Sequence, residues 1–166
     1  MSPVVRTSID IDASPTQVWE AVMDPRLLEC WVTTHGGIDE APKRLSSGSS
    51  FDQTLSLAGK SFDVHWTVMQ ADEPRVAEWL GEGPFGSHAR VRYELERLDD
   101  ERTRFVYENE FELPGGVLGK AAARLVGSSR PGKEAARSLR KLKLLLERDP
   151  APNHYAVGAP GTRAPT

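Results

Sequence analysis

The sequence predicts an α+β fold in which a curved antiparallel sheet wraps around a long C-terminal helix, with two short helices set after the first strand. Three observations carry this. The pattern is strand-like over residues 34 to 113, with closely spaced alternating segments joined by tight turns, as in a meander with one wet face. Residues 133 to 148 place Ala135, Leu139, Leu142 and Leu146 at helical spacing. "SIDIDASPTQVWEAVMDPRLLECW" (8–31) runs an alternating segment into one helix start and then a second.

The elements follow in order. In residues 4–12, Val5, Thr7, Ile9 and Ile11 share one side and Arg6, Ser8, Asp10 and Asp12 the other, a half-buried strand. Ser14 then caps a helix, Pro15 fits its first turn and Gln17 completes a capping box, with Ala13 and Val18 placed as a hydrophobic staple. Asp24 and Pro25 repeat the start signal, and the second helix, about 25–31, carries Leu27, Leu28 and Trp31. Strands are expected at 50–57, 62–68, 75–80, 89–98 and 103–113, with turns or loops at 58–60, 72–74, 81–87 and 99–101. Residues 117–126 have helical content, and the helix is expected to break or bend near Gly127 and Pro131 before it resumes at 133. Residues 1–149 are read as one domain. Residues 150–166, rich in proline, glycine and alanine without a period, are read as a disordered tail.

The composition excludes several function classes. With 166 residues and a net charge of −3, the chain has no basic patch for nucleic acid. No run approaches the roughly 18 apolar residues of a membrane span. The single Cys30 permits no internal disulfide, and the first residues carry no basic-then-apolar leader, so the protein is expected in the cytoplasm. His65 and His88 lie on different strands without zinc-ligand spacing, so neither metal nor cofactor is expected. "GSS" (127–129) lacks the setting of a nucleophile elbow, and "GEGPFG" (81–86) lacks the lysine and following helix of a phosphate loop.

Three stretches resemble the START-related helix-grip superfamily (SRPBCC), in its polyketide cyclase-like branch. They are residues 8–31 quoted above, "FDVHWTVMQADEPRVAEW" (62–79), and "ARVRYELERLDDERTRFVYENEFELPGG" (89–116), which ends in the "LPGG" that opens the final helix. With that helix they span about residues 4–148. The resemblance implies a cavity between sheet and long helix that takes hydrophobic or aromatic small molecules. It implies no single chemistry, because members include cyclases, dehydratases, carriers and antibiotic-sequestering proteins.

Strand parity selects the side chains that meet such a cavity. The inward set is Phe51, Gln53, Leu55, Val64, Trp66, Val68, Val91, Tyr93, Phe105, Tyr107, Asn109 and Phe111. The outward set holds Asp52, Asp63, His65, Thr67, His88, Arg90, Arg92, Glu108 and Glu110. Inward polar groups are therefore neutral, which suits an apolar ligand pinned by a few hydrogen bonds better than acid–base catalysis. Trp66, Tyr93 and Tyr107 are equally at home as core residues. Asn109, an amide on an aromatic face, must find partners. His35 is placed after the second short helix, near the cavity mouth. Lys133, Arg137, Arg140, Lys141, Lys143 and Arg148 form a solvated helix face.

The candidate ligand-binding residues are Trp31, Gln53, Trp66, Tyr93, Tyr107, Asn109, Phe111, Leu118 and Leu125, with Trp31 expected at the entrance on a mobile two-helix lid. The expected partner is a hydrophobic or polycyclic small molecule bound by a monomer, a reading that leans away from an enzyme. Two alternatives stay open: a polyketide aromatase, cyclase or dehydratase whose tyrosines polarise a carbonyl, and a self-resistance protein that captures a toxic natural product with Gly115 and Gly116 close to it.

Overall fold

The structure, a computed structural model, describes residues 4–57, 59–112 and 130–148. β1 (Val4–Ile11) is followed by α1 (Pro15–Val22), a 3-10 turn (Pro25–Leu27) and α2 (Leu28–Trp31). Six strands follow: β2 (His35–Asp39), β3 (Ser50–Leu57), β4 (Lys60–Asp72), β5 (Val76–Glu82), β6 (His88–Asp99) and β7 (Arg102–Glu112). α3 (Arg130–Arg148) closes the described chain. The strands form one antiparallel sheet in the order β1-β7-β6-β5-β4-β3-β2. This is the helix-grip arrangement. The expected helix at 117–126, Leu118, Leu125 and the tail from 150 lie outside the described residues.

Local chemistry builds the first elements as expected. Ser14 Oγ accepts from the Gln17 amide at 3.3 Å, and the Gln17 side chain accepts from the Ser14 amide at 3.0 Å, closing the capping box. Asp24 caps the 3-10 turn by accepting from the Arg26 amide at 3.0 Å. The two-helix element differs from expectation in its packing. Val18, Trp19, Ala21, Val22, Met23, Leu28 and Trp31 are all buried. An element that sinks so many apolar side chains is part of the core rather than a loose lid.

β2 falls in the region read as strand-like from residue 34, but the sequence pattern sets no strand there apart from the loop before β3. Its Gly36–Gly37 pair carries no alternation, and its pairing with β3 shifts register between His35 and Gly37. β4 runs past its expected end at Val68 because a bulge between Val68 and Gln70 turns Met69 to solvent. After it the inward parity resumes at Ala71, which packs against the core.

α3 packs along β1 and against α2. Leu139, Leu142 and Leu146 are buried on one stripe. Lys143, expected on a solvated face, instead clips the helix to the sheet: its Nζ donates to the Asp10 carbonyl at 2.7 Å and pairs with Glu147, which accepts from the Asp12 amide at 3.0 Å. The outer sheet face carries ion pairs such as Arg6–Glu108, Arg104–Asp10 and Arg92–Glu94. Asp63, His65 and Arg90 are exposed there and Glu108 is half-buried, as parity predicts. His65 bonds Asp52 at 2.8 Å, and Asp63 accepts from Thr54 at 2.7 Å.

Candidate ligand-binding cavity

The sheet's concave face is divided along its length. At one end Phe51, Val68, Leu95 and Phe105 pack with α1 and the C-terminal half of α3 as solid core. At the other end the sheet, α2 and the N-terminal half of α3 enclose a cavity of about 460 Å³. That lies inside the usual ligand-site range of ~300–1,000 Å³. Exposed Lys60, Phe85 and His88 line its outer part, so the cavity reaches the surface there. Phe85 stands 77% exposed with a φ of 59°, in the 3-10 turn Pro84–Gly86.

Of the predicted residues, Trp31, Gln53, Trp66, Tyr93, Tyr107, Asn109 and Phe111 all line this cavity. Phe51, Val68 and Phe105 share their face but lie in the solid core, because parity fixes which side a residue faces and not how deep it sits. Trp31 is not at the entrance. It is 1% exposed, with ring centroids 6.2 Å from Tyr93 and 6.3 Å from Phe105. α2 turns its side chain inward against the sheet, so it is an interior wall.

Sequence reasoning missed Trp79, Gly81, Ala89 and Ser138 on the lining. Trp79 sits between Trp66 at 6.2 Å and Tyr93 at 5.1 Å, at the middle of the aromatic wall. The signal was available: Ala77, Trp79 and Gly81 alternate inward along β5. Two of the three are small and carry little hydropathy. Ser138 on α3 accepts from the Thr33 amide at 3.0 Å, and Thr33 donates to Glu134 at 2.6 Å, joining α3 to the segment after α2.

Three hydrogen bonds set the polarity of the wall. Trp66 Nε1 donates to Gln53 Oε1 at 2.8 Å, so the Gln53 amide turns its NH2 toward His35 Nδ1, also at 2.8 Å. An indole N–H can only donate, so His35 Nδ1 accepts and its ring carries its proton on Nε2. His35 bonds Gln53 and is not itself among the described residues that line the cavity. Asn109 Nδ2 donates to the Tyr107 hydroxyl at 2.8 Å, while Asn109 Oδ1, Trp31 Nε1 and Trp79 Nε1 are buried without a partner among the described residues. Burial pushes the Tyr107 phenol up to about 12, opposed in part by the Asn109 bond; burial, and then the neighbouring Tyr107, pushes Tyr93 well above its ordinary value. Both tyrosines keep their protons at neutral pH.

Burial lowers the pKa of His35, against a smaller opposing pull from Glu29. A histidine held neutral in the fold but free to charge in the unfolded chain contributes stability above its unfolded pKa of about 6.5 and loses it as pH falls toward the folded pKa. Thermal midpoints at pH 7.5 and 5.5 should therefore differ less in His35→Asn, whose side-chain oxygen can still accept from Gln53, than in the parent. An equal acid-induced drop in both would show that His35 is not a source of it.

A family model described as "Polyketide cyclase / dehydrase and lipid transport" matches residues 2–147. The chain belongs to this family. No curated protein matched it. Among solved structures, the Zhui aromatase/cyclase from Streptomyces sp. R1128 superposes with a TM-score of 0.76 at 18% identity, covering 96% of this chain and 100% of that one. A protein from Thermus thermophilus gives 0.73 at 18% identity, with 90% and 100% covered. One from Mycobacterium smegmatis gives 0.63 at 18% identity, with 87% and 91% covered. At these identities the likeness is one of fold. The family's helix-grip frame explains why the cavity lies between the sheet and α3. Among the described residues no helix is long and apolar enough to cross a membrane.

Proposed function

We propose that the protein binds a hydrophobic or polycyclic small molecule in the cavity between sheet and α3. The observation that carries this is the cavity of about 460 Å³ walled by Trp31, Trp66, Trp79, Tyr93 and Phe111. Flat aromatic walls with a few fixed polar groups fit a rigid ring system, since stacking area then supplies affinity and the polar groups supply orientation. A fluorescent naphthalene dye should bind the parent saturably at one site. Ala89→Phe, at a buried lining position, should weaken that binding at least about tenfold by filling space. Unchanged dye binding in a folded Ala89→Phe protein would place the dye elsewhere and sink the proposal. Native mass spectrometry of protein purified from its own host would then give the mass of the natural ligand.

A second reading is an aromatase, cyclase or dehydratase acting on a polyketide-like substrate. The family and the Streptomyces aromatase/cyclase fold support it, and the protonated phenols of Tyr93 and Tyr107 on the lining could polarise a carbonyl. Against it, the described lining brings few groups of tunable pKa to the aromatic wall: Lys60 and His88 are at the exposed outer part, and Glu134 is bonded to Thr33. Recovery of a chemically changed ligand after incubation would favour this reading over binding alone.

A further inference from the structure

Tyr93 and Tyr107 are direct partners across the β6–β7 ladder, with ring centroids 5.9 Å apart and planes tilted by 38°. Both line the cavity. The Tyr107 oxygen accepts from Asn109 Nδ2, which occupies a lone pair and leaves the phenol proton for another acceptor. The Tyr93 hydroxyl makes no hydrogen bond among the described residues. Two phenols thus stand on adjacent strands of a wall whose unpartnered buried polar atoms, among the described residues, are Asn109 Oδ1 and the Trp31 and Trp79 indole N–H groups.

We infer that Tyr93 and Tyr107 form a two-donor site for a carbonyl oxygen of the ligand, with Asn109 as the positioning residue that aligns the Tyr107 hydroxyl. This rests on the proposed reading of the cavity as a ligand site. A carbonyl oxygen has two lone pairs and no proton, so it satisfies both donors at once. A carboxylate fits poorly, because a charge buried among these rings would need a cation, and Lys60 and His88 stand at the exposed outer part. Burial keeps both phenols protonated, so donation should persist through neutral pH. The ligand class is therefore a neutral cyclic ketone or quinone rather than a plain hydrocarbon or a fatty acid.

9-Fluorenone and fluorene share a three-ring skeleton and differ in the carbonyl, so they serve as probes. Each of Tyr93→Phe and Tyr107→Phe should weaken fluorenone by about 2–10-fold, the worth of one neutral hydrogen bond, and leave fluorene within about twofold. The infrared carbonyl stretch of bound fluorenone should lie below its value in an apolar solvent and move back toward it in both variants. Asn109→Leu should reduce that shift and weaken fluorenone more than fluorene, a split between the probes that a merely structural role would not produce. Equal losses for both probes, an unshifted stretch, or binding of fluorene without fluorenone would overturn the carbonyl site and leave the cavity reading standing. Failure of both probes to bind the parent would overturn the cavity reading, and this inference with it.

Discussion

Trp31→Ala is expected to destabilise the fold by about 3–5 kcal/mol, the range for truncating a buried tryptophan. Trp31 lies on a four-residue helix that would have no stability of its own. Its indole meets Tyr93 and, edge-on, Phe105, which is fully buried at the foot of the aromatic wall. Removal leaves a void continuous with the cavity, bounded by rings that cannot collapse into it because the sheet holds them. The loss of an unpartnered N–H offsets a small part of the cost. Urea denaturation of parent and variant measures it. A loss below about 1 kcal/mol, well under the truncation range, would mean that Trp31 contributes contact area to a ligand and little to the fold.

Gly81→Ala should cost about 2–4 kcal/mol, from overpacking strain of about 1–3 kcal/mol and about 1 kcal/mol for a broken hydrogen bond. Gly81 faces Trp66 across the β4–β5 ladder. A Cβ built at Gly81 falls 2.6 Å from Trp66 Cζ3 and 2.8 Å from Cε3. A strand backbone and a ring clamped between Trp79 and the Gln53 bond leave little room for relief. The indole must move, and with it go the Gln53 bond and the shape of the wall. Both stability and dye binding should fall. A crystal structure of the variant with Trp66 unmoved would refute this.

Much of this was legible from period alone. The twofold alternation placed Gln53, Trp66, Tyr93, Tyr107 and Asn109 on the inner face, because one buried side makes a one-residue slip too costly. The capping box at Ser14 and Gln17 fixed where the chain leaves β1. Depth along the face was not legible. Whether Phe105 lines a void or fills a core depends on where α1 and the two halves of α3 sit, and those contacts join distant parts of the chain. The glycine pair in β2 hid that strand, and small residues either side of Trp79 hid the middle of the wall. The depth of Trp31 is hidden for a related reason: a short helix after a break reads as peripheral, and only the sheet it packs against makes it interior.

A ligand bound in the aromatic-walled cavity would lie against tryptophan rings. The chain has four tryptophans, which report on it directly. Trp31, Trp66 and Trp79 line the cavity, whereas Trp19 on α1 is buried in the solid core. Titration of fluorene into 15N-labelled protein, followed by the indole N–H resonances, should move the first three and leave Trp19 in place. Shifts of Trp19 equal to the others, or no indole shift at saturating binding, would contradict ligand binding in this cavity.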